Sequence, residues 1–237
     1  LVLAIQLVAA LAFPAIARAH AAQSGDGHPG SEEMALAVRN ALVLAWTIAC
    51  AAVAALLVGA PAIVSLLFGW GRMDNSALEQ VAAWGRSGAW GLLPQSFLAV
   101  ALTVLASVGR IRFAVLAYLV ALALLVMLGA AGPTGGGALM WCMNAGFVLA
   151  ALIAWGALGA SAWRSWISVR ALLAPLCALM VVACVVHWLG SADTAPVLVR
   201  DSDLKQAFPL VGSALSAIFV VVVSWFSSPG LRHALRS

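Results

Sequence analysis

The sequence predicts an all-α protein, a polytopic bundle of transmembrane helices. Hydrophobic residues make up 65% of the chain and charged residues only 8%, whereas a water-soluble domain is typically about 25% charged. Long charge-free stretches recur along the chain, and about 20 apolar residues in a helix cross a hydrocarbon core of roughly 30 Å. Because lipid cannot hydrogen-bond the backbone, these stretches must be helices rather than isolated strands.

Seven helical segments are expected, about six full spans and one truncated span. The first, about 1–17, lacks the charged start of a signal peptide, so we expect the end of a membrane helix that is cut at its beginning. The stretch 32–40 follows a hydroxyl cap and begins with acids, which predicts a short helix lying along the membrane surface. The full spans are predicted at about 41–67, 88–108, 112–131, 138–160, 170–190 and 208–226.

The placement of charge predicts the orientation of the bundle. If the segment 18–40 is cytoplasmic, eight basic residues fall inside, four fall outside, and five of the eight acids lie outside. The positive-inside rule therefore predicts that the segment 18–40 and the C-terminus are cytoplasmic. Tryptophans near the ends of the spans are expected to form aromatic belts at the two membrane surfaces. The basic residues on the predicted inside are Arg18, Arg39, Arg110, Arg112, Arg164, Arg170, Arg232 and Arg236.

Several functional classes lack their characteristic residues in this sequence. No basic cluster with interleaved aromatic residues is present, so no nucleic-acid partner is expected. The four cysteines lie in apolar stretches without C-x-x-C spacing, so neither a metal nor a disulfide framework is predicted, and no cofactor is expected. His187, Ser191 and Asp193 straddle a predicted helix end without the glycines of a nucleophile elbow. No catalytic residue is therefore assigned, and the chain is predicted not to be an enzyme.

Two motifs carry a resemblance to a known family. Residues 59–71 read Gly-Ala-Pro-Ala-Ile-Val-Ser-Leu-Leu-Phe-Gly-Trp-Gly, a proline near a helix end followed by a short apolar hook and a glycine-aromatic-glycine turn. This stretch resembles the end of the ninth helix in the MurJ/MviN family of lipid II flippases, part of the multidrug/oligosaccharidyl-lipid/polysaccharide exporter superfamily. Residues 13–18, Phe-Pro-Ala-Ile-Ala-Arg, are similar to the end of that family's eighth helix.

The same resemblance divides the chain into two parts. It implies that residues 1–160 hold the end of helix 8 to helix 12, in the C-terminal lobe of a fourteen-helix flippase. Residues 161–237 then supply two additional transmembrane helices and the cytoplasmic C-terminus. The stretch 105–113 departs from the family, because the aspartate and the threonine-proline turn usual after the tenth helix are absent.

The resemblance implies a transporter rather than an enzyme. Such a flippase moves an undecaprenyl-pyrophosphate-linked sugar such as lipid II across the inner membrane for peptidoglycan synthesis, by alternating access. The implied partners are this lipid-linked sugar, membrane lipid, a missing N-terminal lobe and cell-wall assembly proteins. The alternatives are a flippase for exopolysaccharide or O-antigen units and a non-transporting, degenerate membrane scaffold. The scaffold is favoured by the departure at 105–113 and because the family's phosphate-binding arginines lie outside this sequence.

Polar residues within or beside the spans are the candidates for a substrate pathway. Gln95 follows Pro94, which removes a backbone hydrogen bond and bends a helix, so its amide could line a cavity or satisfy the freed backbone. Gln6 could face a cavity or a neighbouring helix. Asn144 could line the pathway or form an interhelical hydrogen bond. Arg18 could meet phosphate at the cytoplasmic mouth or anchor the helix end.

Overall fold

The fold is an all-helical bundle. The structure is a computed structural model, and it describes residues 13–14, 16–18, 29–70, 73–130, 135–159, 166–191 and 202–227. Within them, five helices are long and apolar enough to cross a membrane, or six if one bent pair is a single span. This confirms the predicted all-α class with several membrane-length helices. The helices are α1 (Pro29–Phe68), α2 (Asn75–Ala89), α3 (Leu92–Ser107), α4 (Ile111–Ala130), α5 (Gly136–Leu158), α6 (Val169–Ser191) and α7 (Ser202–Ser227).

Helix α1 forms the centre of the bundle. Of its most apolar 18-residue window, 72% is buried, compared with 28% for α5, 17% for α6 and α7, and 6% for α4. Helices α2, α3, α6 and α7 all contact α1, whereas α4 packs mainly on α5. The outer helices therefore present apolar side chains such as Leu122, Val126 and Met127 to the surroundings, as expected where the solvent is lipid.

The prediction of a separate surface helix at 32–40 is wrong. The 40 residues of α1 run without a break from Pro29 to Phe68, a length of about 60 Å and roughly twice the thickness of the hydrocarbon core. Met34 and Val38 are buried in the same core cluster as Ile16 and Leu42. No glycine or proline interrupts the sequence between Ser31 and Val58, so this packing keeps the first turns in line with the membrane-length part.

The predicted span at 88–108 is one arm of a bent pair. Helix α2 precedes it and meets α3 at an angle of 45°. Leu78 and Val81 of α2 pack against a small cluster formed by Ala60, Val64 and Ala82, while Glu79 lies on the exposed side. The sequence pattern missed α2 as an element of its own because its polar residues lower the mean hydropathy.

The close approach of α1 and α7 depends on small side chains. A Cβ atom added at Gly59 would lie 2.6 Å from Ser213 Cβ, and one added at Gly212 would lie 3.2 Å from Val58 Cγ1. Lipid supplies little hydrophobic driving force between membrane helices, so close backbone contact of this kind contributes much of their association. This pair has the most extensive contact in the bundle, which joins the last described helix directly to the centre.

Aromatic residues predicted to form a membrane belt are partly in the core instead. Trp46 is 9% exposed and its Nε1 donates to Leu172 O at 2.9 Å. Its ring meets Phe97 edge-on at 5.0 Å, Phe97 meets Trp155 at 6.2 Å, and Trp155 meets Trp166 at 6.5 Å. Trp46, one of the tryptophans expected in an aromatic belt, therefore lies in the core, because its indole finds an acceptor between α1 and α6.

Candidate functional site

Among the described residues, one membrane-length segment is sharply bent at a short break, the one between α2 and α3. Gly91 N donates to Gly88 O at 3.0 Å and Leu93 N donates to Trp90 O at 3.3 Å, both three residues back rather than four. Pro94 lies in the first turn of α3, where a missing N–H is tolerated. The bend therefore precedes the proline, although the sequence pattern attributed it to Pro94 alone.

Asn144 of α5 closes this break from the neighbouring helix. Its Nδ2 donates to Ser87 O at 2.8 Å, and Ser87 O is the carbonyl that Gly91 N–H would bond in a regular helix. Asn144 Oδ1 is buried and has no hydrogen-bond partner among the described residues. That oxygen lies against Gly91, where an added Cβ would overlap it.

A groove of about 710 Å³ runs across the break. Gln95, half-buried one turn into α3, supplies the only side-chain amide among its lining residues. An amide offers both donors and an acceptor, and no hydrogen bond within the described residues occupies this one. Met140 and Met143 of α5 form a flexible apolar wall. The remaining lining residues are Leu56, Val81, Trp84, Gly85, Gly88, Ala89 and Leu92.

The chemistry of this groove is neutral. No charged side chain occurs among its described lining residues, so these residues can hydrogen-bond a hydroxyl or an amide but supply no charge to neutralise a pyrophosphate. Sugars present hydroxyl groups that an uncharged amide can both donate to and accept from. The groove therefore suits an uncharged polar group with an attached apolar part.

A second, smaller crevice lies on the other side of Pro94. It has a volume of about 240 Å³ and is lined entirely by apolar or aromatic residues. Leu93, Phe97 and Trp155 form its inner wall, while Val148 and Leu152 are exposed at its rim. Among its described lining residues the indole N–H groups of Trp46 and Trp155 already donate to backbone carbonyls, in contrast to the amide in the groove that contains Gln95.

The structure places the sequence-predicted candidates differently. Gln95 and Asn144 lie on opposite sides of the same break, Gln95 in the groove and Asn144 on the backbone of α2. Arg18 is exposed, and its Nε donates to Pro14 O at 3.2 Å, a contact within its own short helical stretch. Gln6 lies outside the residues that the structure describes.

Sequence reasoning missed the groups that shape the break. Ser87 and Gly91 carry no functional signature, although the spacing of Gly88 and Gly91 around Trp90 is a signal for a local irregularity. No group of three or more histidine, cysteine or acidic residues that could hold a metal ion occurs in the part of the chain that is described.

Comparison with known proteins does not assign the chain to a family. No family model, curated protein or solved structure matches it.

Proposed function

We propose that this chain forms the C-terminal part of a MurJ/MviN-like flippase that moves an undecaprenyl-pyrophosphate-linked sugar, such as lipid II, across the bacterial inner membrane. The observation that supports this most is the Gln95 amide, unoccupied by described partners, in a groove at a broken membrane helix. Transporters place substrate groups at discontinuous helices, where the irregular backbone is shielded by protein. The proposed orientation keeps the C-terminus in the cytoplasm.

In this proposal the groove contacts the sugar rather than the pyrophosphate. Its lining is uncharged, and a pyrophosphate needs cationic donors such as arginine. The resemblance implies that those arginines belong to the N-terminal lobe, which faces this part across the transport pathway. Gln95 then orients sugar hydroxyls while Met140 and Met143 adapt to the shape of the cargo.

A non-transporting scaffold remains the second candidate, and the uncharged lining favours it. A lobe that lacks cationic side chains in its groove could hold cell-wall assembly proteins together without moving any lipid. The two candidate functions predict different effects of removing the Gln95 amide. A flippase would transport more slowly, whereas a scaffold does not depend on this amide.

The test uses the chain joined to its N-terminal lobe, in cells depleted of their own flippase. Outer-leaflet precursor is quantified by cleavage with an enzyme that acts only outside the membrane. Gln95→Leu removes the amide but keeps the side-chain volume, and loss of about 0.5–1.5 kcal/mol predicts a roughly 2- to 10-fold lower rate of appearance. Gln80→Leu, at an exposed position of α2 outside the groove, is the matched control.

Two results would contradict the proposal. Depletion of the whole protein that leaves precursor reaching the outer leaflet at a normal rate removes the transport function. Equal rates for Gln95→Leu and Gln80→Leu, in a protein that does transport, remove the groove from the pathway.

A further inference from the structure

The carbonyl of Ser87 has two possible hydrogen-bond donors, of which the backbone donor is available only in a straighter α2–α3 span. In the present structure Asn144 Nδ2 donates to it at 2.8 Å, while Gly91 N donates to Gly88 O at 3.0 Å. If α2 and α3 formed a regular helix, Gly91 N–H would donate to Ser87 O. In the bent shape Asn144 therefore supplies the donor that the break takes away from Ser87 O. Without Asn144 this carbonyl is satisfied by the backbone only if the span straightens.

Each shape leaves one group poorly satisfied. The bent shape buries Asn144 Oδ1 without a partner among the described residues, which is unfavourable for a polar atom in a low-dielectric interior. A straighter shape brings the ring of Pro94 against the carbonyl of Trp90, four residues earlier, and removes a donor from that carbonyl. Trp90 O accepts from Leu93 N in the bent shape. Each shape therefore has a group whose hydrogen bonding improves in the other shape.

We propose that the α2–α3 junction is a hinge and that Asn144 is its latch. While Asn144 donates to Ser87 O, the span stays bent. When Asn144 releases that carbonyl, Gly91 N–H takes it and α2 swings toward the axis of α3. Such an exchange gives two discrete arrangements of one element, which is what a conformational switch requires.

The hinge controls the shape of the groove. Trp84, Gly85 and Gly88 line it from the α2 side of the break, while Leu92 and Gln95 line it from the α3 side. A swing of α2 therefore moves one wall relative to the other. This consequence follows from the geometry alone and does not depend on what the groove carries.

Gly91 permits the latch. An added Cβ at this position would overlap Asn144 Oδ1, so any other residue requires the amide to shift against the break. Its backbone is in the right-handed helical region, so Gly91 is not needed here for an unusual dihedral angle. The steric requirement for the latch accounts for the glycine.

The test measures the position of α2 with spin labels on the full chain in lipid nanodiscs. Gln80→Cys on α2 and Leu139→Cys on α5 are both exposed, and the four native cysteines are replaced by alanine. Residue 80 lies about ten residues from the break, so complete straightening would displace it by about 12 Å at a rise of 1.5 Å per residue. Since Pro94 retains part of the bend, we expect a shift of several ångströms.

Two variants act on the latch from opposite sides. Asn144→Leu removes the donor with little change of volume, and Gly91→Ala displaces the amide. Both are expected to shift the inter-label distance distribution in the same direction. Gly85→Ala, where an added Cβ meets nothing within 4 Å, is expected to keep the distribution of the unmodified chain.

The hinge is overturned if both latch variants retain the unmodified distribution, or if Gly85→Ala shifts it equally. A shift confined to Gly91→Ala also overturns it, because the donor would then have no role. Loss of transport in Gln95→Leu has no bearing on these distances, so this inference and the proposed function can fail separately.

Discussion

The contact between α1 and α7 predicts a large effect for a single added methyl group. In Gly59→Ala the new Cβ would lie 2.6 Å from Ser213 Cβ and 2.8 Å from Ser213 Oγ, whereas carbon atoms in good contact are about 3.5–4.0 Å apart. The two helices must therefore separate by about 1 Å along much of their contact. Overpacking of this kind costs about 1–3 kcal/mol.

The loss of stability can be measured with a reporter that the chain already contains. Cys50 is fully buried in α1, so a thiol-reactive dye reports unfolding in detergent once the other three cysteines are replaced by alanine. For a chain of this size about 1 kcal/mol corresponds to roughly 2–4 °C in Tm. Gly59→Ala is therefore expected to lower Tm by about 2–12 °C.

Two further variants decide whether the contact itself is responsible. Ser213→Gly removes both clashing atoms, so adding it to Gly59→Ala should recover a large part of the loss, as a coupling between contacting residues. Gly129→Ala on the exposed side of α4 adds a Cβ that meets nothing within 4 Å and serves as the control. The reasoning is refuted if Gly59→Ala is as stable as Gly129→Ala, or if Ser213→Gly recovers nothing.

Three smaller perturbations test other contacts by the same thermal assay. Trp155→Ala removes a buried ring and the donor to Phe97 O at 3.0 Å, so stability is expected to fall by about 3–5 kcal/mol. Trp141 is exposed, so Trp141→Ala should change stability little. Equal effects of the two substitutions would contradict the assignment of Trp155 to the core. Arg110→Ala removes the hydrogen bond from Nη1 to Ala157 O at the end of α5, and such a contact at a helix C-terminus contributes about 0.3–1 kcal/mol of stability. A loss of stability no larger than that of Arg112→Ala would argue against this cap. Asp74 is the N-cap of α2, and its Oδ1 accepts a hydrogen bond from Ala77 N at 2.9 Å. Asp74→Ala removes this cap and is expected to lower stability by about 1 kcal/mol. Asp74→Asn should retain most of the capping, and equal losses of stability for both substitutions would show that the cap contributes nothing.

The membrane-length helices could be predicted from the sequence because long, uncharged, apolar stretches are stable in lipid and not in water. Helices α4 and α5 begin and end within two residues of the predicted spans. Helix α2 could not be found in this way, since its apolar face is matched to α1 and its exposed face carries Glu79 and Arg86. The continuity of α1 was missed for a similar reason, because burial of Met34 and Val38 is a tertiary property.

The candidate site was predictable in its residue types but not in its geometry. Gln95 and Asn144 stand out as polar residues in apolar stretches, and both lie at the broken span. The two residues differ in their hydrogen-bond partners. Asn144 donates to the carbonyl of Ser87, 57 positions earlier in the chain, and no local sequence pattern predicts that contact. The placement of Trp46 beside Leu172 depends equally on how distant helices meet.

If the chain threads a membrane repeatedly, the connections between its helices lie alternately on the two sides of that membrane. Single cysteines at Met73, Gly135 and Arg112, in a background without native cysteines, are treated with a membrane-impermeant maleimide on intact cells. We predict labelling at 73 and 135 from outside, and at 112 only after permeabilisation. Labelling of all three positions from the same side would contradict the threaded arrangement.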